Sequence, residues 1–414
     1  MPSLPVSGRF GGRGATTGCG RSAKVGEGQL FLLDVEHARI ELGSLRASGL
    51  RSQCGSDTGR DDAMMLNNAL WASSAARRWV MVAPAVAALT YPMLLAGVFR
   101  SAHWLSAATG SAALLGGIAL AASLLVTFAV PALALAVALG LGATERPTTG
   151  EARARAFAHL VYACPPLFTF LGVVVYLAGF PKGDQVIWPL LWAAVIAAVF
   201  IGASRGAPAQ ATARTTSWLR PIHGVGAVIV IAGYVSLHLF NHLTGFWSAD
   251  THIAVMHVLR KWYRSGVIEP LVVALMLFMV ISGALLLRAR LSRPAGFFET
   301  LQTMTGAYLG IYILGHMNSV FIYARLSAGI ETDFWFASGG KAGLLGDPWS
   351  VRLLPHYALG VWSVITHAGC GLRTVLLSHG VTEHTADRVA GWISALGAAV
   401  TIPMILALVR IHIG

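Results

Sequence analysis

The sequence predicts an all-α, polytopic transmembrane helical bundle of about nine spanning helices, four N-terminal plus a five-helix bundle, and three observations predict it. The 414-residue chain is 55% hydrophobic and only 12% charged, with a mean hydropathy of +0.65, too few charges to solvate a globular domain of that size. Apolar stretches of about twenty residues, the length that crosses roughly 30 Å of hydrocarbon at 1.5 Å per residue, recur about nine times. The positive charge, a formal +12, is scattered between those stretches instead of gathered in one polar domain. That distribution suits loop ends beside anionic lipid head groups and argues against a nucleic-acid-binding protein.

Taken in order, the stretches run from Trp79 to Phe99, Ser111 to Leu141, Ala156 to Phe180, Val186 to Ala203, Pro221 to Leu243, Val267 to Leu287, Thr303 to Tyr323, Leu354 to Leu377 and Val389 to Ile411. Pro131 is expected to kink the second, and Pro165–Pro166 to break the third. Residues 1–75 are rich in Gly, Ser and Arg and lack a signal peptide's apolar core. They read as a disordered extension or, with Met64 and Met65 beside the first span, as a misassigned start. Residues 76–205 form a four-helix region and 219–414 a five-helix one, divided by the polar Gly206–Trp218 segment.

Arg77 and Arg78, Arg146, Arg153 and Arg155, Arg205, Arg214 and Arg220, and Arg288, Arg290 and Arg293 fall on one side of these spans. That side is expected to be cytoplasmic, with the N-terminus inside, although Arg260, Lys261 and Arg264 sit opposite. Arginine greatly outnumbers lysine and Ala and Gly abound, which points to a GC-rich bacterial genome and so to a bacterial cytoplasmic (inner) membrane. The four cysteines, Cys19, Cys54, Cys164 and Cys370, show no CxxC or CxxCH spacing. This argues against zinc modules, iron–sulfur sites and covalently attached haem.

The two halves differ in chemistry. Of 14 histidines, only His37, His103 and His159 precede the polar segment, and ionisable groups inside a bilayer point to function. The fifth span reads R220-P-I-H223-G-V-G…Y234-V-S-L-H238-L-F-N241-H242 and the seventh L301-Q-T-M-T305-G306…Y312-I-L-G-H316-M-N318. Each carries an early glycine, a tyrosine, a histidine four residues later and an asparagine. The sixth and eighth match in turn, M279-V-I-S-G283 with H367-A-G-C-G371. This is an internal duplication of a helix pair, closed by a ninth helix. Helices of like direction place His238 and His316 about 25 and 20 Å from the cytoplasmic side. Met279 and His367 share a second level, nearer the cytoplasm. Two donors at one level on facing helices are what a flat macrocycle requires.

At these residues, over Arg220 to about Ile411, the chain resembles the five-helix dihaem cytochrome b membrane anchor of succinate dehydrogenases and fumarate reductases. The phrases R-P-I-H…Y-x-x-x-H-x-x-N, L-Q-T-M-T-G…H and H-x-x-x-G-L-R carry the likeness. The resemblance implies one or two haem b groups, electron exchange with quinone, and redox partner subunits. It implies that His238 and His316 ligate a distal haem, and that Met279 and His367 stand where the proximal ligands would be. The sequence departs from the family at Met279, where a histidine is expected, so that site reads as His/Met ligated, five-coordinate on His367, or without haem. His242 is the alternative to His238, and His223 with Arg220 at the helix entrance is expected to bind a haem propionate.

Glu269 reads as a helix-start carboxylate or as a proton acceptor for quinol, with His356 and Arg352 as further candidates for that pocket. His252, His257, His379 and His384 are expected in solvated loops, and His159 at an interface. A non-enzymatic haem-binding or structural protein on the same scaffold is the alternative class. A transporter would need intramembrane carboxylates and paired broken helices.

Overall fold

The computed structural model describes residues 74–202 and 217–414, and Ala69–Gly414 form one compact unit. Nearly all of the expected N-terminal extension and most of the polar Gly206–Trp218 segment lie outside the described residues. Those described are helical, with no strand. Six helices are long and apolar enough to cross a membrane, or seven if one bent pair counts as a single span. The chain is a multi-pass membrane protein.

Helix α1 covers Ser74–Ala107 and α2 Gly110–Gly142, the latter passing Pro131 without a break. Helix α3, Thr149–Tyr162, starts at a capping box in which Thr148 accepts from the Glu151 backbone and the Glu151 side chain accepts from the Thr148 N–H. Helix α4, Cys164–Leu177, departs from α3 at 69°. Pro165 and Pro166 cause the break, since each lacks the N–H that would continue the ladder of α3 but suits the first turn of a new helix. Helix α5 is Asp184–Gly202.

Helix α6, Leu219–Thr244, contains a π-helical stretch at Ile231–Val235. Helix α7, Ala249–Tyr263, is capped by the Ser248 hydroxyl. Helices α8, Ile268–Arg290, and α9, Phe297–Met317, follow, and α9 runs on into a second π segment, Asn318–Ala328. After the single turn α10, Phe334–Ala337, come α11, Leu353–Ser378, and α12, Glu383–Leu408. The turn between these two is a Schellman motif. Gly380 takes φ 80°, its N–H bonds Leu377 O and the Val381 N–H bonds Leu376 O.

Helices α9 and α11, expected as spans, fall short of the apolarity of the other six. The reason is their polar cargo, which includes Glu299, Gln302, Thr305 and His316 on α9 and His356, Ser363, His367 and Arg373 on α11. Both are supported from inside the protein. Helix α9 packs against α2, α3, α4, α8 and α11, and His159 and Arg155 of α3 clasp it through Thr303 Oγ1 (3.0 Å) and Thr300 Oγ1 (3.5 Å). His159, expected at an interface, is therefore a buried cross-link 2% exposed.

The main core lies among α1–α5. Trp188 and Trp192 are fully buried beside Tyr91 and Phe168, and Trp188 Nε1 donates to Ala88 O at 2.9 Å. Arg352 joins that core to α11 by pairing with the buried Asp184 at 2.9 Å and lying over the Phe168 ring. It is not among the residues that line the cavity enclosed by α6, α8, α9, α11 and α12.

Candidate cofactor cavity

Helices α6, α8, α9, α11 and α12 close a ring: α6 packs on α8, α8 on α9, α9 on α11, α11 on α12, and α12 on the Ser236–Thr244 end of α6. They surround a cavity of about 2230 Å³ lined by His223, His238, Met279, His316, His356 and His367. Cofactor sites commonly measure roughly 300–1,000 Å³, so this one has room for more than one such group. All six predicted site residues line it, including Arg220 at its exposed mouth.

The His238 and His316 rings face each other at 6.1 Å between centres, inclined by 70°. Two imidazoles ligating one metal ion from opposite sides, with metal–nitrogen distances of ~2 Å, have centres about 6 Å apart. Each ring is steadied from below. The duplicated Tyr-x-x-x-His spacing places tyrosine one helical turn earlier, and Tyr234 stacks on His238 (5.3 Å, 17°) as Tyr312 stacks on His316 (5.7 Å, 6°). Tyr312 is itself covered by His356 at 4.5 Å. The π segments lie just before His238 and just after His316, a helix irregularity frequent at functional sites.

His242 meets His238 edge-on at 4.7 Å and lies 5.1 Å from His252. His252 is not a solvated loop residue. It is 3% exposed and its Nε2 is 3.2 Å from Asn241 Nδ2. Burial, helped by the Arg260 charge, pushes its imidazole down to about 4. At the same end Arg260 pairs with Glu331 and bonds Thr332, Arg264 bonds Thr332, and Arg325 pairs with Glu269 at 2.8 Å. Glu269 thus has a cation partner in the first turn of α8, in keeping with the helix-start reading.

At the other level His367 Nδ1 lies 2.9 Å from Gln302 O and 3.3 Å from Thr305 Oγ1. A carbonyl only accepts, so Nδ1 carries the proton and Nε2 keeps its lone pair. Gly306 makes room for the ring, since a Cβ there would stand 2.9 Å from His367 Cε1. Met279 packs in the α6–α8 seam, where a Cβ on Gly226 would meet its sulfur at 3.1 Å. His223 is tied to Ser282 of α8 at 2.7 Å. Arg290 also borders this end, and Arg373 is engaged by Glu299, Glu383 and Asp387.

Among the described residues no group of three or more His, Cys, Asp or Glu side chains is arranged to hold a metal ion. His316, His238, His242 and His252 instead follow one another as a chain of neighbouring rings. Comparison of the chain with family models, curated proteins and solved structures returned no match.

Sequence reasoning missed the supports Ser282, the Gln302 carbonyl and His252. The repeat's glycines Gly306 and Gly283 gave the signal, as places where another group approaches the backbone closely.

Proposed function

We propose that this protein is a membrane-embedded b-type haem protein that transfers electrons, exchanging them with quinone or a redox partner. In this reading α9 and α11 cross the bilayer with the other spans, giving nine, and α6, α8, α9, α11 and α12 act as a cytochrome b-like bundle in a bacterial inner membrane.

The observation that carries the reading is the pair of imidazoles of His238 and His316, 6.1 Å apart on facing helices inside a large, mostly apolar cavity. A haem supplies reversible one-electron chemistry when bound, and needs from the protein two axial donors, a dry slot and cations for its propionates. His238 and His316 would hold it, with Tyr234 and Tyr312 stacked on their rings. Most of the cavity's lining is apolar. Exposed Arg220 and half-buried Arg290 border the opposite end of the cavity, at the level of His223 and His367, too far along α6 to reach a group held by His238 and His316.

The full chain, expressed with haem in ample supply and purified in detergent, is expected to give a b-type reduced-minus-oxidised spectrum and to be reduced by added quinol. A haem that quinol fails to reduce would assign the chain to the non-enzymatic haem-binding class. Absence of haem would remove the reading altogether.

A further inference from the structure

A second donor pair is built into the same cavity, and it is not the pair expected from helix order. The geometry points to His223 of α6, not Met279 of α8, as the partner of His367 in ligating a second haem. This assignment rests on the haem reading above and names the residues of its second site.

The first observation is tautomeric. Ser282 Oγ lies 2.6 Å from Phe278 O and 2.7 Å from His223 Nδ1. A hydroxyl has one proton, and Phe278 O can only accept it, so Ser282 accepts from His223 Nδ1–H. His223 Nε2 therefore carries a lone pair. His367 is in the same state, its Nδ1–H held by Gln302 O. A fixed N–H on one ring nitrogen, bonded to a protein oxygen, is the support that metal-ligating histidines characteristically have.

The second observation is level. A Cβ on Gly283 would stand 3.5 Å from His223 Cε1, and one on Gly306 would stand 2.9 Å from His367 Cε1. Gly283 lies seven residues before the end of α8 and Gly306 nine residues after the start of α9. At 1.5 Å per residue they sit about 10 and 14 Å from the shared α8–α9 connection. Both rings line the one cavity. Each ring packs against a glycine, whose missing side chain makes room for the imidazole.

The third observation removes the competitor. The Met279 sulfur is packed toward the Gly226 backbone of α6, where a thioether fills a helix–helix seam as methionine commonly does. His223 and His238 are fifteen residues apart on α6, so the two levels are separated by roughly 20 Å. The cavity reaches both levels, a distance that covers most of the hydrocarbon thickness.

The test is the haem content per chain, measured on the full protein by pyridine haemochrome absorbance. Wild type is expected to hold two haems, His223→Ala and His367→Ala one each, and Met279→Leu two. In the oxidised wild type no sulfur-to-iron charge-transfer band is expected. Because His223→Ala could disturb the start of α6, His223→Gly is measured as well with imidazole in solution. Recovery of the second haem there marks a lost ligand and not a collapsed helix. Loss of one haem in Met279→Leu, or two haems retained in His223→Ala, overturns the assignment. A wild type with a single haem that His238→Ala removes overturns this second site while leaving the first reading intact. A wild type with no haem overturns both.

Discussion

Helices α1–α5 and the ring of α6, α8, α9, α11 and α12 bury their residues for different purposes. In the first region the interior is filled by side chains, with Trp188, Trp192 and Tyr91 almost wholly enclosed. In the ring, the most apolar windows of α6 and α8 are only 11% and 6% buried, against 39% for α1 and α2. These two helices face lipid on one side and the cavity on the other. The contrast is between a packed interior and an open one: tryptophans close the first, whereas the second is lined by histidines and glycines. Helix α9 belongs to both, with Met304 and Tyr308 in the packed core and His316 in the cavity.

The contrast can be broken most forcefully at the facing pair. His238→Ala or His316→Ala is expected to abolish the distal haem spectrum while the chain remains folded, because neither ring is part of the packed core. Unfolding of either variant, seen as lost helical circular dichroism, would mean that these rings are structural. Trp188→Ala should do the reverse. It removes a fully buried indole, lowering stability by about 3–5 kcal/mol, with haem per folded chain unchanged. Denaturant unfolding read alongside absorbance separates the two effects.

Smaller changes sharpen the picture. Gly306→Val sets a branched side chain against the His367 ring, and is expected to remove the second haem but not the first. Ser282→Ala frees the His223 ring and should weaken binding at that level by about 10–100-fold, measured by haem titration of the apo-protein. The mildest effect concerns acid. His252 is held down to about 4 in the folded chain, against about 6.5 when unfolded. The folded state therefore binds fewer protons between these values, and stability is full above pH 6.5 and falls as pH drops through about 4. In His252→Asn that dependence should flatten, as read from Tm against pH.

Much of this was legible in the sequence because lipid imposes length and apolarity on a span. The Pro165–Pro166 break, the apolar stretches and the Tyr-x-x-x-His repeat follow from local spacing, and the repeat reappears as two stacked pairs. The rest depended on neighbours. His252 looks like a loop residue until Asn241 and Phe334 are seen against it. Arg352 looks free until Asp184, distant in sequence, pairs with it. Met279 and His223 both sit at plausible positions for a donor. Only the α6–α8 contact shows that the sulfur packs toward Gly226 while the imidazole is held by Ser282. Helices α9 and α11 fall below the apolarity of the other six because they carry the polar groups and are packed among the other helices.

The central claim is that His238 and His316 form an axial pair, and low-temperature electron paramagnetic resonance of the oxidised full chain tests it most directly. The account predicts a low-spin bis-imidazole ferric signal in wild type that disappears in the His238→Ala/His316→Ala double variant. A wild-type protein without that signal after saturation with haem, or one whose signal survives the double substitution, would contradict it.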